Sequence, residues 1–149
     1  MRDTVTAALK AATKAQDKRR VSTLRLMAAA IKDRDIAART AGKSEATDAE
    51  LLELFAKMIK QREESEKIYR EAGRAELARQ EAEEIAIIRE FLPQQLSGAE
   101  LDKAIADALA KTGAASVKDM GKVMAELKAR YAGQMDFAKA SALVKAKLG

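Results

Sequence analysis

Few residue types in this 149-residue chain could carry out catalysis. The sequence contains no histidine and no cysteine, which excludes the usual acid–base residue of neutral pH, thiol nucleophiles, disulfides and the common zinc sites. The densest group of carboxylates is Glu81, Glu83 and Glu84, and a di-iron bundle would need histidines beside such glutamates. We therefore interpret these three residues as surface or ion-pair glutamates.

Motifs of nucleotide binding and acyl transfer are also missing. The sequence has no phosphate-binding Walker loop, no glycine-rich dinucleotide fingerprint after a strand and no serine nucleophile elbow. No serine has a histidine to activate it. The sequence thus predicts no catalytic residue, no metal site, no cofactor and no enzymatic activity in this chain alone.

Basic residues offer a different chemistry, the recognition of polyanions. Residues 1–43 hold 11 Lys/Arg against 4 Asp/Glu, residues 44–92 hold 8 against 13, and residues 93–149 hold 9 against 6. A basic segment beside an acidic one is typical of antiparallel helices that complement each other in charge. It is also the composition of a polyanion-binding surface, although on charge alone the first interpretation is the commoner one.

Four cations recur every seven residues in the second predicted helix: Lys18, Arg25, Lys32 and Arg39. Because a heptad drifts only about 20° around a straight α-helix, they form one basic stripe, about 32 Å long at 1.5 Å per residue. The stripe could bind a polyanion, or it could be a solvated flank of snorkelling side chains. Ile36 falls close to the stripe, which indicates that part of it is covered.

The elements that must position these residues are predicted to be helices throughout. Hydrophobic residues make up 48% of the chain but aromatic ones only 3%, a composition suited to helix-on-helix packing. Pro93, the only proline, should stop the helix before it, and Ser97 with Glu100 forms a capping box for the next helix. The sequence therefore predicts a rigid elbow between an N-terminal helical domain, residues 1–92, and a C-terminal one, residues 93–149.

Hydrophobic periodicity and capping residues predict about four helices before the elbow and a three-helix bundle after it. Asp3 is the predicted N-cap of the first helix. Thr47 and Glu50 form the capping box of the third helix, which ends at Gly73. The second helix should bury Val21, Leu24, Ala28, Ile31 and Ala38 on one face. The other five helices are predicted over residues 3–15, 17–41, 98–112, 117–131 and 137–148.

Membrane insertion and secretion are not indicated. No apolar run approaches the roughly 20 residues that span a bilayer, and the N-terminus lacks the continuous apolar stretch of a secretory signal. We therefore expect a cytoplasmic protein.

Several runs of residues resemble a known family over nearly the whole chain. Before the elbow they are Thr23-Leu24-Arg25-Leu26-Met27, Lys60-Gln61-Arg62 with Ser65 and Tyr69, Ala72-Gly73-Arg74 with Leu77, Glu81 to Ile85, and Leu92-Pro93. These runs resemble the N-terminal domain of the YqeY-like proteins. After the elbow they are Lys118 to Met124, Gly133 with Asp136, and Leu143-Val144-Lys145 with Lys147-Leu148. The second set is similar to the tail domain that this family shares with GatB, the B subunit of tRNA-dependent Asp/Glu amidotransferase.

The resemblance implies an all-α, two-domain fold and a role close to tRNA. In the amidotransferase the tail contacts tRNA, while a separate cradle domain, absent from this chain, carries out the ATP-dependent reaction. The resemblance therefore implies tRNA as a partner and no independent amidotransferase activity. The positions that it implies for nucleic-acid binding are Lys118, Gly121, Lys122, Gly133, Asp136 and Lys145, and we add Arg25 and Lys32 of the basic stripe.

Three positions in the C-terminal part bear on how RNA could approach. Lys118 and Lys122 are four residues apart and share a helix face, where they could position phosphates. Gly121 costs about 1 kcal/mol inside a helix, which indicates close approach by a neighbour, more often a packed side chain than a ligand. Met135 stands before Asp136 where the family usually has a small residue, so a bulkier turn would hold a phosphate backbone farther away.

Three functions stay open on the sequence. The chain could be a tRNA-binding accessory protein that recognises the shape and backbone of folded RNA, since aromatic residues for stacking single-stranded bases are nearly absent. It could instead be a helical protein-interaction module with no RNA role. It could also be an amidotransferase-associated factor, part of a carbon–nitrogen ligase system that is catalytic only through a partner such as an amidotransferase or another protein of tRNA metabolism.

Overall fold

The computed structural model describes all 149 residues as seven α-helices and one 3₁₀ turn, with no strand. The all-α prediction is therefore confirmed. The chain divides into two compact units, Met1–Pro93 and Gln94–Gly149, and the division falls at the only proline. Each unit has its own cluster of buried apolar residues. That these units are the two predicted domains, residues 1–92 and 93–149, stays a prediction.

Four helices make up the first unit, with α2 as the central one. They are α1 (Arg2–Lys14), α2 (Lys18–Thr40), α3 (Asp48–Glu71) and α4 (Ala75–Arg89). α2 packs against α1, α3 and α4, and the closest pair is α3 with α4. None of the helices in either unit combines the length and apolar character of a membrane-spanning segment.

Local sequence explains where two of these four helices begin. Asp17 caps α2 by accepting a first-turn backbone N–H at 3.1 Å. Thr47 and Glu50 form the predicted capping box at the start of α3. The prediction that Asp3 caps α1 is wrong, because the helix begins one residue earlier and has no side-chain cap. Asp3 lies in the first turn instead, where its carboxylate faces the positive end of the helix dipole.

An aliphatic core with one phenylalanine holds the first unit together. All four helices contribute large side chains that are fully buried, and they are Val5, Leu24, Met27, Leu51, Phe55 and Ile88. Complete burial of one such side chain contributes about 1.5–3 kcal/mol relative to exposure. This packing, more than helix propensity, stabilises the helices in the unit.

The buried face of α2 is wider than the periodicity predicted. Leu24, Ile31 and Ala38 are buried as expected, whereas Val21 and Ala28 are only partly buried. Met27 and Thr23 are buried in addition, because α2 packs against three neighbouring helices. The hydroxyl of Thr23 is satisfied within the helix, donating to the carbonyl of Arg19 at 3.0 Å.

The second unit is the predicted three-helix bundle, made of α5 (Gly98–Thr112), α6 (Met120–Tyr131) and α7 (Phe137–Leu148). The single helix predicted over residues 117–131 is divided, since Val117–Asp119 form a 3₁₀ turn before α6. Asp119 is the reason. Its carboxylate accepts the backbone N–H of Ala115 at 2.9 Å and of Ser116 at 3.3 Å, which tightens the turn.

The segment that follows Pro93 belongs to the second unit. The backbone N–H of Leu96 donates to the carbonyl of Gln134 at 2.9 Å, and the Gln95 side-chain amide donates to the carbonyl of Gly133. Leu96 also packs against the core of this unit. The start of the unit is therefore tied to the turn between α6 and α7.

Candidate nucleic-acid interface

The glutamate cluster of α4 forms ion pairs within the first unit. Arg62 of α3 donates from Nε to Glu84 Oε2 at 2.9 Å, and Arg19 of α2 reaches Glu83 at 3.2 Å. Glu81 lies partly buried beside them, and burial together with the neighbouring Glu84 raises its pKa. No group of His, Cys, Asp and Glu side chains in the structure is arranged to hold a metal ion.

Three arginines of α2 complement the acidic part of the chain. Arg19, Arg20 and Arg34 form ion pairs with Glu83, Glu90 and Glu50 respectively. Glu50 lies on α3, Glu83 in the middle of α4 and Glu90 directly after α4, all in the acidic segment 44–92. These three arginines of the basic segment therefore pair with the acidic segment, as expected for helices that complement each other in charge.

The basic stripe of α2 has a different environment. Its cations are all exposed, and they are Lys18, Arg25, Lys32 and Arg39. Lys18, Arg25 and Lys32 have no carboxylate within 4 Å, whereas Arg39 donates from Nε to the carbonyl of Ser44 at 3.2 Å. The expectation that Ile36 marks a covered part of the stripe is wrong, because this side chain is 49% exposed. The centre of the stripe is open to a ligand.

A second group of cations lies in the C-terminal unit. Lys118 belongs to the 3₁₀ turn and Lys122 to the first turn of α6. Both side chains are exposed and neither has a carboxylate within 4 Å. Gly121, which is also exposed, lies between them in the sequence.

The space around Gly121 is empty of other parts of the chain. A Cβ placed on this residue would meet nothing within 4 Å. The expectation that a packed neighbour requires a glycine here is therefore wrong. The fold itself gives no packing reason for a residue that weakens the helix.

The end of α7 approaches the start of α6. A Cβ at Gly149 would lie 3.8 Å from Val117 Cγ2, and the Gly149 N–H donates to the carbonyl of Lys145 at 2.8 Å. The last turn of α7, which carries Lys145, therefore lies at the same end of the bundle as Lys118 and Lys122. The structure brings together four of the six positions that the resemblance implied.

Gly133 and Asp136 lie at the other end of α6, which is about 18 Å long at 1.5 Å for each of its 12 residues. Both have roles within the fold. Gly133 adopts a φ of +75°, and its carbonyl accepts the side-chain amide of Gln95. Asp136 caps α7 by accepting the backbone N–H of Ala138 at 2.9 Å. Any contact of these two residues with RNA would be separate from the Lys118 end.

Met135 does not obstruct the surface of this turn. Its side chain is 6% exposed and belongs to the core of the second unit. The Met135 side chain points into the core and not toward the surface beside Asp136. The expectation that it would hold a phosphate backbone away is therefore wrong.

Sequence reasoning missed exposed apolar residues beside both groups of cations. Leu26 is 47% exposed next to Arg25, and Val117 is 43% exposed next to Lys118. Leu26 could have been found from the sequence, because it falls outside the buried face of α2 at 100° per residue. Single exposed apolar residues are common on protein surfaces, so Leu26 and Val117 are of interest only because each lies next to an exposed cation.

These features define a class: a small all-α protein with two helical units and exposed cations that have no carboxylate within 4 Å. Within that class, the chain belongs to the YqeY-like family. The family model described as Yqey-like protein matches residues 2–148 and so spans both units, which confirms the resemblance to the YqeY-like proteins. The relation of the C-terminal unit to the GatB tail stays a prediction. No curated protein sequence matches the chain.

Proposed function

We propose that this protein is a tRNA-binding accessory protein, related to the tail of tRNA-dependent amidotransferase and without a catalytic centre of its own. The observation that carries the proposal is the open surface at Gly121, between two exposed lysines that have no carboxylate within 4 Å. A phosphate backbone could approach the main chain of α6 there more closely than any side chain would permit.

The charges around Gly121 suit a phosphate backbone. Lys118 and Lys122 flank it, and Lys145 comes to the same end of the bundle from α7. The start of α6 adds the positive end of a helix dipole. Contacts of this kind fix the position of a nucleic acid and depend on salt, but they do not read its sequence.

Folded RNA suits this surface better than single-stranded RNA. Tyr131 and Phe137 are the only aromatic residues of the C-terminal unit, and both pack against its core. No aromatic platform is therefore available on which unpaired bases could stack. Recognition has to use the backbone and the shape of a folded molecule, which is how structured RNA is commonly read.

Binding of tRNA at low salt, measured by fluorescence anisotropy, tests the proposal. Lys118→Glu with Lys122→Glu should weaken binding by roughly tenfold or more, because two phosphate contacts become repulsive. Circular dichroism should show unchanged helicity, since both side chains are exposed.

A matched control is Lys103→Glu with Lys139→Glu. These lysines are exposed on α5 and in the first turn of α7, so the same charge change falls on the same unit but away from Gly121. The control should bind nearly as well as the wild type. The proposal is wrong if the wild-type chain binds no tRNA at low salt, or if both double variants weaken binding equally.

A further inference from the structure

We propose that the surface between α1 and α2 is a docking site for an acidic amphipathic helix of a partner protein. We refer to this surface as the α1–α2 seam, and it lies wholly within the first unit. The inference goes beyond the proposed RNA function and does not depend on it.

The seam contains two grooves with the same kind of lining. Lys18, Arg25 and Leu26 line the first groove, together with residues at the end of α1. Lys32, Arg39 and Ile36 line the second groove, together with residues at the start of α1. Each groove therefore combines two cations of the basic stripe with one large apolar side chain that is exposed. Both apolar side chains are about half exposed, Leu26 at 47% and Ile36 at 49%.

Negative charge is almost absent from the seam. No acidic residue lines the first groove. Asp35 lines the second, but its carboxylate accepts Nε of Arg2 at 3.0 Å and the backbone N–H of Ala46 at 2.9 Å. The hydrogen bond from Arg2, followed by that from Ala46, lowers the pKa of Asp35 to about 2. Asp35 also interacts electrostatically with Arg39, but the cations that line the two grooves outnumber this one carboxylate, so the seam has an excess of positive charge and the complementary ligand is negative.

The apolar residues favour a protein helix over a nucleic acid. The whole protein has four exposed large hydrophobic side chains, and two of them, Leu26 and Ile36, lie in this seam beside the stripe. A phosphate backbone would cover the cations but would bury neither of these side chains. A helix with an apolar face and acidic flanks satisfies both features at once, which is the helix-in-groove mode of recognition.

The spacing of the residues sets the dimensions of the partner. The stripe is about 32 Å long, which corresponds to about 21 residues of helix. Leu26 and Ile36 are about 15 Å apart along α2 at 1.5 Å per residue. On a partner helix lying alongside α2, this distance corresponds to about ten residues. Apolar residues about eleven positions apart, close to three full turns, would lie on one face of the partner and contact both Leu26 and Ile36. Asp and Glu at the flanking positions would meet Arg25 and Lys32.

Peptide display with the full chain as target tests the proposal. The library consists of 21-residue helical peptides in which the residues facing the target and the flanking charges are randomised. We expect enriched peptides to be acidic, to carry apolar residues at helical spacing, and to bind less tightly as salt increases. A selection that enriches no peptide, or peptides without an excess of Asp and Glu, overturns the proposal.

Substitutions in the seam then locate the binding site. Leu26→Ser with Ile36→Ser should weaken an enriched peptide at least tenfold. Arg25→Gln with Lys32→Gln should weaken it and also flatten its salt dependence, since two charge contacts are removed. If either variant binds the peptide as tightly as the wild type does, the proposal is wrong.

Matched controls lie on α3, outside the seam. Ile68→Ser changes a side chain that is 64% exposed, and Lys57→Gln with Lys67→Gln removes two exposed charges. Both should bind the peptide as the wild type does, and all variants should keep their helicity. Equal weakening by the controls would mean that the peptides bind elsewhere, which contradicts the assignment.

Two further outcomes name a different occupant and would also overturn the assignment. The first outcome is that Arg25→Gln with Lys32→Gln weakens tRNA binding, while the enriched peptides do not compete with tRNA or are not weakened by Leu26→Ser. The seam would then be an RNA-binding surface. If the wild-type chain dimerises in sedimentation and the Leu26/Ile36 variant does not, the occupant is a second copy. Failure of tRNA binding at Lys118 and Lys122 leaves the peptide result unaffected, so the two proposals fail separately.

Discussion

Arg2 and Asp35 join the first helix to the second by two parallel contacts. Nε of Arg2 donates to Oδ2 of Asp35 at 3.0 Å, and one terminal nitrogen of the guanidinium lies 2.5 Å from Oδ1. The carboxylate also accepts the backbone N–H of Ala46, and Arg2 donates to the carbonyl of the same residue. One bidentate pair therefore fastens α1, α2 and the loop before α3 at a single point.

Stability should depend on the charge of Asp35 in acid. Its folded-state pKa is about 2, below the ordinary value of 3.8, mainly because of the hydrogen bond from Arg2. The ionised carboxylate thus stabilises the fold above about pH 4, and this contribution is lost as the pH falls toward 2. Asp35→Asn should unfold at a lower temperature than the wild type at pH 6, and the difference should shrink at pH 2. Asp33→Asn is the control, because Asp33 is exposed on the same helix. An equal difference at both pH values would contradict the role of the ion pair.

Gly121→Ala should stabilise the second unit and weaken RNA binding at the same time. Alanine in place of a helical glycine raises the free energy of unfolding by up to about 1 kcal/mol, and no atom lies within 4 Å of the added Cβ. The same methyl group would obstruct a phosphate backbone that approaches α6. Chemical denaturation measures the first effect and tRNA anisotropy the second.

Gly98→Ala serves as the control for this substitution. Gly98 lies in the first turn of α5 and also has nothing within 4 Å of an added Cβ. It should leave tRNA affinity unchanged. Should Gly121→Ala bind tRNA as tightly as the wild type, Gly121 would have no role in the RNA interface.

The salt dependence of tRNA binding should report the number of lysine contacts. Each phosphate contact contributes roughly −0.7 to −0.9 to the slope of log K against log salt concentration. Lys118→Glu with Lys122→Glu should therefore reduce the magnitude of the slope by roughly 1.4 to 1.8. A slope equal to that of the wild type would show that neither lysine contacts phosphate.

Limited proteolysis should cut first near Pro93 and release two helical pieces. The boundary between the compact units falls there, and α3 should be protected because its inner face is buried in the first core. Mass spectrometry of the earliest fragments gives the position of the cut. A first cleavage inside residues 50–70 would be incompatible with a separable boundary at the proline.

The starts of many helices could be predicted because capping is local chemistry. Thr47 with Glu50 and Ser97 with Glu100 each begin a helix as expected. Asp119 shows the limit of this reasoning, since its reach back to Ser116 produced a 3₁₀ turn before α6 and not one continuous helix. A capping pattern marks where a turn begins but does not fix how tightly it is wound.

The pairing of charges could not be predicted, because it depends on what each helix face meets after packing. Arg20 and Arg25 are five residues apart on α2 and look alike in the sequence. Only the tertiary structure places Arg20 beside Glu90 and leaves Arg25 in solvent. The interpretation of complementary charge is therefore confirmed for arginines such as Arg20, whereas polyanion binding by the exposed cations stays a prediction.

The sequence also could not predict which of the C-terminal motif residues lie together in space. Sequence motifs gave its members, but the direction of α7 places Lys145 at the same end of the bundle as Lys118, and the length of α6 places Gly133 at the other end. Neighbours in a motif need not be neighbours in space when a helix of three turns lies between them.

The hydrogen bonds made just after Pro93 decide where a recombinant C-terminal fragment has to start. A piece beginning at Gly98, the first residue of α5, would lack the donor that Leu96 offers to Gln134 and the amide that Gln95 offers to Gly133. It would also lose the apolar side chain of Leu96. A fragment prepared for NMR or RNA titration should therefore begin no later than Gln94. In a shorter fragment the α6–α7 turn would be altered by the loss of these contacts, and changes in its signals could not be assigned to the ligand.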